Sequence, residues 1–155
     1  MKVSVHTIRA TGIPWYLLPA FSDGRRTAGI LENIVAAALT AEVTSMDDEH
    51  EPDLLLKCGS VCEVRAKAAT SKNSWSTKTS LESRGANGKG GSAQSDKKWS
   101  QTDRFAIVRY AVEDTYLLVH VCIIDCKSVE RRPKSISQKQ FQTWVDTLPH
   151  TTHTL

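Results

Sequence analysis

The chain has 155 residues and a mass of 17.1 kDa, with 40% hydrophobic and 24% charged residues and a formal net charge of +3. That is the size of one domain and the composition of a globular protein, which excludes disordered and fibrous classes. No apolar run approaches the about 20 residues a membrane helix needs. The N-terminal apolar segment Ile13 to Phe21 is short and holds Pro14 and Pro19, so no membrane span and no secretory signal is expected.

The first eight residues alternate Val3 and Val5 and read as a short strand. Pro14 and Pro19 break any longer element beyond it, and Ser22-Asp23-Gly24 reads as a turn. Ile30, Leu31, Ile34, Val35, Ala38 and Leu39 then recur with helical spacing, with Thr27 as a cap and Glu32 on the flank of the apolar stripe. Met46 to Pro52 is acidic and reads as a surface loop, with His50 beside Pro52-Asp53. Asp53 to Lys57 and Val61 to Ala69 read as two strands of a hairpin turned at Cys58-Gly59-Ser60.

Residues 71–102 differ from their surroundings. They carry six basic residues against two acidic ones and half of the eight glycines, together with many Ser and Thr. So long a stretch without regular structure is expected to have a function or to be disordered. Trp75 and Trp99 bracket it, to stack on bases or to pin it to the body. Arg104 to Val112 and Thr115 to Asp125 are two further strands, the second nearly all apolar and so central. After Pro133, Ile136, Phe141, Trp144, Val145 and Leu148 have helical spacing, with Ser135 or Ser137 as the cap. Residues 149–155 read as a frayed tail, with His150 and His153 in it, and His120 reads as a core histidine. The fold class expected is α+β, of α/β/α-like layering, with a mixed central sheet flanked by helices in one domain spanning 1–155.

Four cysteines without a secretory signal point to a reducing, cytoplasmic setting. Cys58/Cys62 and Cys122/Cys126 are both Cys-x3-Cys. Four thiolates could close a tetrahedral zinc shell. The strand-like flanks favour instead buried free thiols, each pair along one strand face.

The chemistry-bearing pattern is Pro52-Asp53, nine residues, then Glu63-Val64-Arg65-Ala66-Lys67. A three-residue loop would pair 57 with 61, 55 with 63 and 53 with 65. Asp53, Glu63, Arg65 and Lys67 then share one face, and Cys62, Val64 and Ala66 face the core. Two carboxylates with a cation beside them suit a hard ion such as Mg²⁺, which can activate water and neutralise charge on a phosphodiester.

Pro-Asp on a short strand, a step of about ten residues and an acidic residue before x-Lys on the next strand resembles the signature of the PD-(D/E)XK nucleases, the restriction-endonuclease-like superfamily. The preceding helix with Glu32 and the order of elements are similar too, over roughly residues 25–125. The resemblance implies a Mg²⁺-dependent endonuclease on double-stranded DNA, most simply a small type II restriction enzyme acting as a homodimer and leaving a 5′-phosphate. It implies metal ligation by Asp53, Glu63 and the Val64 carbonyl, with Glu32 as an outer ligand. One departure is chemical: Arg65 stands where the family has lysine, and Lys67 lies two further on. Arginine stays protonated and supplies only charge and donors, so either Arg65 or Lys67 would steady the phosphate. In the basic stretch, Asn73, Ser74, Lys78, Ser83, Arg84, Asn87 and Lys89 would contact DNA, Arg84 through a bidentate guanine contact. Within the same fold a junction resolvase or repair nuclease is the alternative. A non-catalytic DNA-binding protein is a further alternative, motivated by Arg65 in the lysine position.

Overall fold

The computed structural model describes residues 1–22, 24–43, 53–68, 78–82 and 92–155, with side chains except at 22, 24–28, 42, 43, 67, 68 and 92. The strands are β1 (Val3–Ala10), β2 (Glu42–Val43), β3 (Leu54–Leu55), β4 (Val61–Ala68), β5 (Thr79–Ser80), β6 (Arg104–Val112), β7 (Leu117–Asp125), β8 (Ser135–Ile136) and β9 (His150–Thr154). The helices are α1 (Gly24–Leu39), α2 (Ser92–Ser100) and α3 (Gln138–Thr147), with 3₁₀ turns at Trp15–Ser22 and Cys126–Ser128. Seven strands form one mixed sheet in the order β2-β3-β4-β6-β7-β1-β9, and β5 and β8 form a separate two-stranded ribbon. β4 with β6 and β1 with β9 are parallel; the other pairs in the large sheet are antiparallel.

The expected α+β class with a mixed central sheet is what the chain adopts. Alternation along the strands sends side chains to two cores. On one face Ile8, Val64, Ala106, Val108, Val119 and Val121 pack under Leu31 and Val35 of α1 and Phe21 of the first 3₁₀ turn. On the other, Val5, Phe105, Ile107, Cys122 and Ile124 pack under Phe141 of α3, with Trp99 of α2 against them. β7 lies inside the sheet, between β6 and β1, as its apolar run requires. No helix among the described residues is long and apolar enough to cross a membrane.

Several local expectations are corrected. The helix begins at Gly24, so Thr27 lies inside it and is not its cap. Ser137, not Ser135, caps α3, its hydroxyl accepting from the Gln140 N–H at 3.1 Å. The stretch 71–102 is not structureless: it contains β5 and α2. Parallel neighbours need a crossover rather than a tight turn, and α2 lies within the one that joins β4 to β6. The tail is not frayed, because β9 pairs with β1 from His150 to Thr154. The Cys-x3-Cys pairs do not run along strands: Cys58 is in the hairpin loop and Cys126 in a 3₁₀ turn. All four cysteines are free, Cys58 exposed and the others buried. Cys62 packs on one face of the sheet and Cys122 and Cys126 on the other, so a common zinc shell is not built.

Candidate active site

The hairpin registers Leu54 with Cys62 and Leu55 with Val61. The loop is therefore Leu56 to Ser60, closed by the Gly59 N–H to the Leu56 carbonyl and the Leu56 N–H to the Ser60 carbonyl, both 2.9 Å. Gly59 takes a φ of +87°, which a side chain would strain. The pairing is shifted by two residues from the expected one. Side chains alternate with period two, so a shift of two leaves every residue on its expected face. Cys62 and Val64 are buried in the core below α1, as anticipated.

The shift brings Asp53 closer to Glu63 than the expected register did. Asp53 Oδ2 accepts the Val64 N–H at 2.8 Å. N–H and C=O of an extended residue point to the same side of the strand, so the Val64 carbonyl faces the edge that Asp53 occupies. Glu63 is only 2% exposed. Its Oε1 lies 3.2 Å from Lys98 Nζ and 3.7 Å from an Arg65 guanidinium nitrogen. Its Oε2 is buried with no donor in reach, and a protonated Glu63 carboxyl hydrogen-bonds the Asp53 carboxyl. Burial first, then the adjacent Asp53 carboxyl, pushes the Glu63 carboxyl well above the usual range, against the pull of Lys98 and Arg65. Glu32, half-buried on α1, is pushed up to about 7 by burial and then by Asp53, with Arg65 opposing. Three carboxyls and two cations thus act on one another at the end of the hairpin, drawn from α1, the hairpin and α2.

Lys98 was not anticipated as a site residue. It comes from α2, which the basic stretch hides because its nine residues carry few apolar positions. The helix is pinned by Trp99, whose ring centre lies 5.6 Å from that of Phe105 on β6. Arg132 also pins it: the side chain is 4% exposed, donates to Asp96 Oδ1 at 2.7 Å and lies 3.3 Å from Glu82 Oε1. Arg65 lies 5.8 Å over the Phe105 ring, the same ring that Trp99 packs against. The one signal in the sequence is the Lys97-Lys98-Trp99 triplet just before a strand.

The Lys67 side chain, Asn73, Ser74, Ser83, Arg84, Asn87, Lys89, Trp75, His50 and the acidic loop lie outside the described residues. Lys78 is exposed beside β5, away from the hairpin in sequence and in sheet.

The donors present suit a hard divalent cation. They are oxygens alone, one of them orphaned and buried, with a backbone carbonyl on the same edge. No group of three or more His, Cys, Asp or Glu placed to hold a metal occurs among the described residues. Two carboxylates and a carbonyl are a ligand count that Mg²⁺, which keeps several waters, accepts. No protein-family model, curated protein or solved structure matches the chain.

Proposed function

We propose that the chain is a metal-dependent DNA endonuclease with a restriction-endonuclease-like fold, working as a homodimer on double-stranded DNA in the manner of a small type II restriction enzyme. The observation that carries this reading is the buried Glu63 carboxyl beside Asp53, with its unpartnered Oε2 and the ammonium of Lys98 at 3.2 Å. An acid and a lysine converge there, as the resemblance requires, although the lysine arrives from a helix and not from position 65. The order α1, hairpin, crossover helix and parallel strand supports the fold.

Asp53, Glu63 and the Val64 carbonyl would hold Mg²⁺. Bound there, the ion supplies a Lewis acid for a phosphate oxygen and lowers the pKa of water. The remaining work falls to the chain. Lys98 and Arg65 place positive charge where a phosphate would sit, and Lys98, unlike Arg65, can also give up a proton. Glu32, near neutrality in its titration, takes or yields a proton at the pH where such chemistry runs. Carboxyls that retain protons at neutral pH must release them to a cation, so metal affinity should rise with pH. A single small domain offers one such site, and cutting both strands of a symmetric site needs two, related by a two-fold axis.

The test is cleavage of plasmid DNA with Mg²⁺ and with EDTA, by the native chain and by Asp53→Ala, Glu63→Ala and Lys98→Gln. Metal-dependent cleavage lost in all three supports the reading. Cleavage that survives Asp53→Ala and Glu63→Ala overturns it. Discrete bands from linear duplex indicate restriction, and cutting confined to four-way junctions indicates a resolvase. Salt-sensitive DNA binding without cleavage on any substrate would make the chain a non-catalytic binder.

A further inference from the structure

Four of the five histidines meet at the β1–β9 edge of the sheet, far from the hairpin. On one face His6 Nδ1 and His153 Nε2 are 3.0 Å apart. Their ring centres are 5.3 Å apart with planes 21° from parallel. The excess of the centre distance over the nitrogen distance is the two ring radii, so both nitrogens lie on the line between the centres. That is a head-on N–H···N hydrogen bond in which one ring donates and the other accepts. A metal ion would need the two lone pairs to converge off that line. On the opposite face Thr7 Oγ1 lies 2.6 Å from His150 Nδ1 and 3.4 Å from His120 Nδ1. The His120 and His150 rings meet edge to face with centres 6.2 Å apart. His150 Nε2 donates to the Val145 carbonyl, which can only accept. In each pair one histidine belongs to β9 and the other to the body of the sheet.

We propose that these two histidine pairs form a proton-sensitive latch that docks β9 on β1 at neutral pH and releases it in acid. A head-on imidazole pair accommodates one bridging proton. A second would set N–H against N–H and two like charges against each other at hydrogen-bond distance. On the other face, charging both His120 and His150 places two cations about one hydroxyl. Arg109 of β6 stands opposite His120 in the β6–β7 register and adds a further cation. On α3, Asp146 is exposed and accepts from Gln142, and Lys139 is exposed. On the His6 face, α1 presents Leu31, Ile34 and Val35 to the sheet, while its Glu32 interacts with Asp53 at the other end. Arg9 of β1 lies over the Tyr116 ring at 4.4 Å. Burial first and then the partner imidazole hold His6 and His120 below the ordinary histidine value. The undocked chain therefore binds protons more readily than the docked one. Docking is at full strength above about pH 6.5 and weakens as pH falls below it. β9 is mostly exposed and pairs on one side only; besides the histidines it is held by its ladder to β1 and by Leu155, whose N–H donates to the Arg9 carbonyl and whose carbonyl accepts from the Thr11 N–H and hydroxyl.

The experiment is amide hydrogen exchange on the intact chain at about pH 7.5 and about pH 5, corrected for intrinsic rates. Protection of residues 150–154 should fall about tenfold more than that of β6 and β7. The doubly substituted chain His150→Gln, His153→Gln should show no such difference. Protection of β9 that tracks β7 at both pH values overturns the proposal. His6→Gln is read alongside, because the double variant could leave β9 undocked throughout. It removes one pair without touching β9, so the drop must shrink, and an undiminished drop also overturns the latch.

Discussion

The two ends of the central sheet bury opposite kinds of acid. At the β3–β4 end, Glu63 and Glu32 are carboxyls held up by burial and by Asp53. At the β1–β9 end, His6 and His120 are imidazoles held down by burial and by their partners. The physics is the same, since removing water disfavours whichever form is charged. The consequences for stability have opposite signs. A carboxyl raised in the folded state contributes stability below its unfolded value, and that contribution is lost as pH rises toward about 7. An imidazole lowered in the folded state contributes above about pH 6.5, and that contribution is lost as pH falls. One end of the sheet is strained by base and the other by acid. What separates them is the counter-charge. Lys98 and Arg65 reach Glu63, whereas the half-buried His6 and His120 each face a second histidine.

The largest expected effect removes what the ends have in common. Phe141 of α3 is 1% exposed and lies in the core that runs from Val5 on β1 to Phe105 on β6, with Arg109 5.5 Å over its ring. Phe141→Ala should lower global stability by about 3–5 kcal/mol, read in urea unfolding. The loss should be the same at acid and at alkaline pH, because no proton is involved. A loss that varied strongly with pH would mean the core is not shared between the ends.

Separating the ends is the next test. Glu63→Gln keeps the shape of the side chain and removes its charge. At pH above the range where Glu63 ionises, the substitution should stabilise the chain by on the order of 2 kcal/mol, because a buried negative charge is no longer demanded. At acid pH, where Glu63 is already protonated, the two proteins should be nearly equal. Thermal or urea melts across pH read the divergence. A pH-independent offset would show that the carboxyl is not buried as the structure has it. Adding Mg²⁺ at alkaline pH should raise the native midpoint and leave that of Glu63→Gln much less changed, a readout independent of any cleavage.

The hairpin end was largely legible in the sequence and the histidine end was not. Asp53, Glu63 and the alternation from Val61 onward are local, and period-two alternation survives an error of two residues in register. That is why the expected faces are the observed ones although the loop is five residues and not three. Glu32 could be placed because α1 has a clear apolar stripe. Lys98 could not, since α2 is short and mostly polar and is held by contacts that are distant in sequence: Trp99 on Phe105 and Arg132 on Asp96. The segment His150-Thr-Thr-His-Thr has no apolar residue to mark a strand. It is a strand because β1 presents an open edge and His6 and Thr7 present partners, none of which is near it in the chain. Local patterns reveal elements that bury their own apolar face, and they miss elements recruited by polar contacts.

That distinction makes Arg132 the smallest and most selective test. Its guanidinium is almost fully buried, yet its two partners are not: the Asp96 side chain is 63% exposed and that of Glu82 33%. Solvent screening reduces what such pairs are worth, so Arg132→Ala should lower global stability by only about 1 kcal/mol. Its local effect should be larger. With the clasp gone, α2 keeps Trp99 and the buried Ser95 as anchors, and the Lys98 ammonium is held less firmly at Glu63. Amide exchange in residues 92–100 should accelerate while exchange in 150–154 stays unchanged, since the described contacts of Arg132 are with Glu82, Asp96 and Pro133 and not with the histidine end. A loosened Lys98 also holds the Glu63 carboxyl down less, so the alkaline destabilisation at that end should deepen. Arg132→Lys keeps one charge but cannot span Asp96 and Glu82 with a planar fork, and should fall between the two. Equal acceleration at both ends would mean that the sheet transmits the loss and that the two ends are one cooperative unit. Acceleration confined to α2 would establish that the ends respond separately.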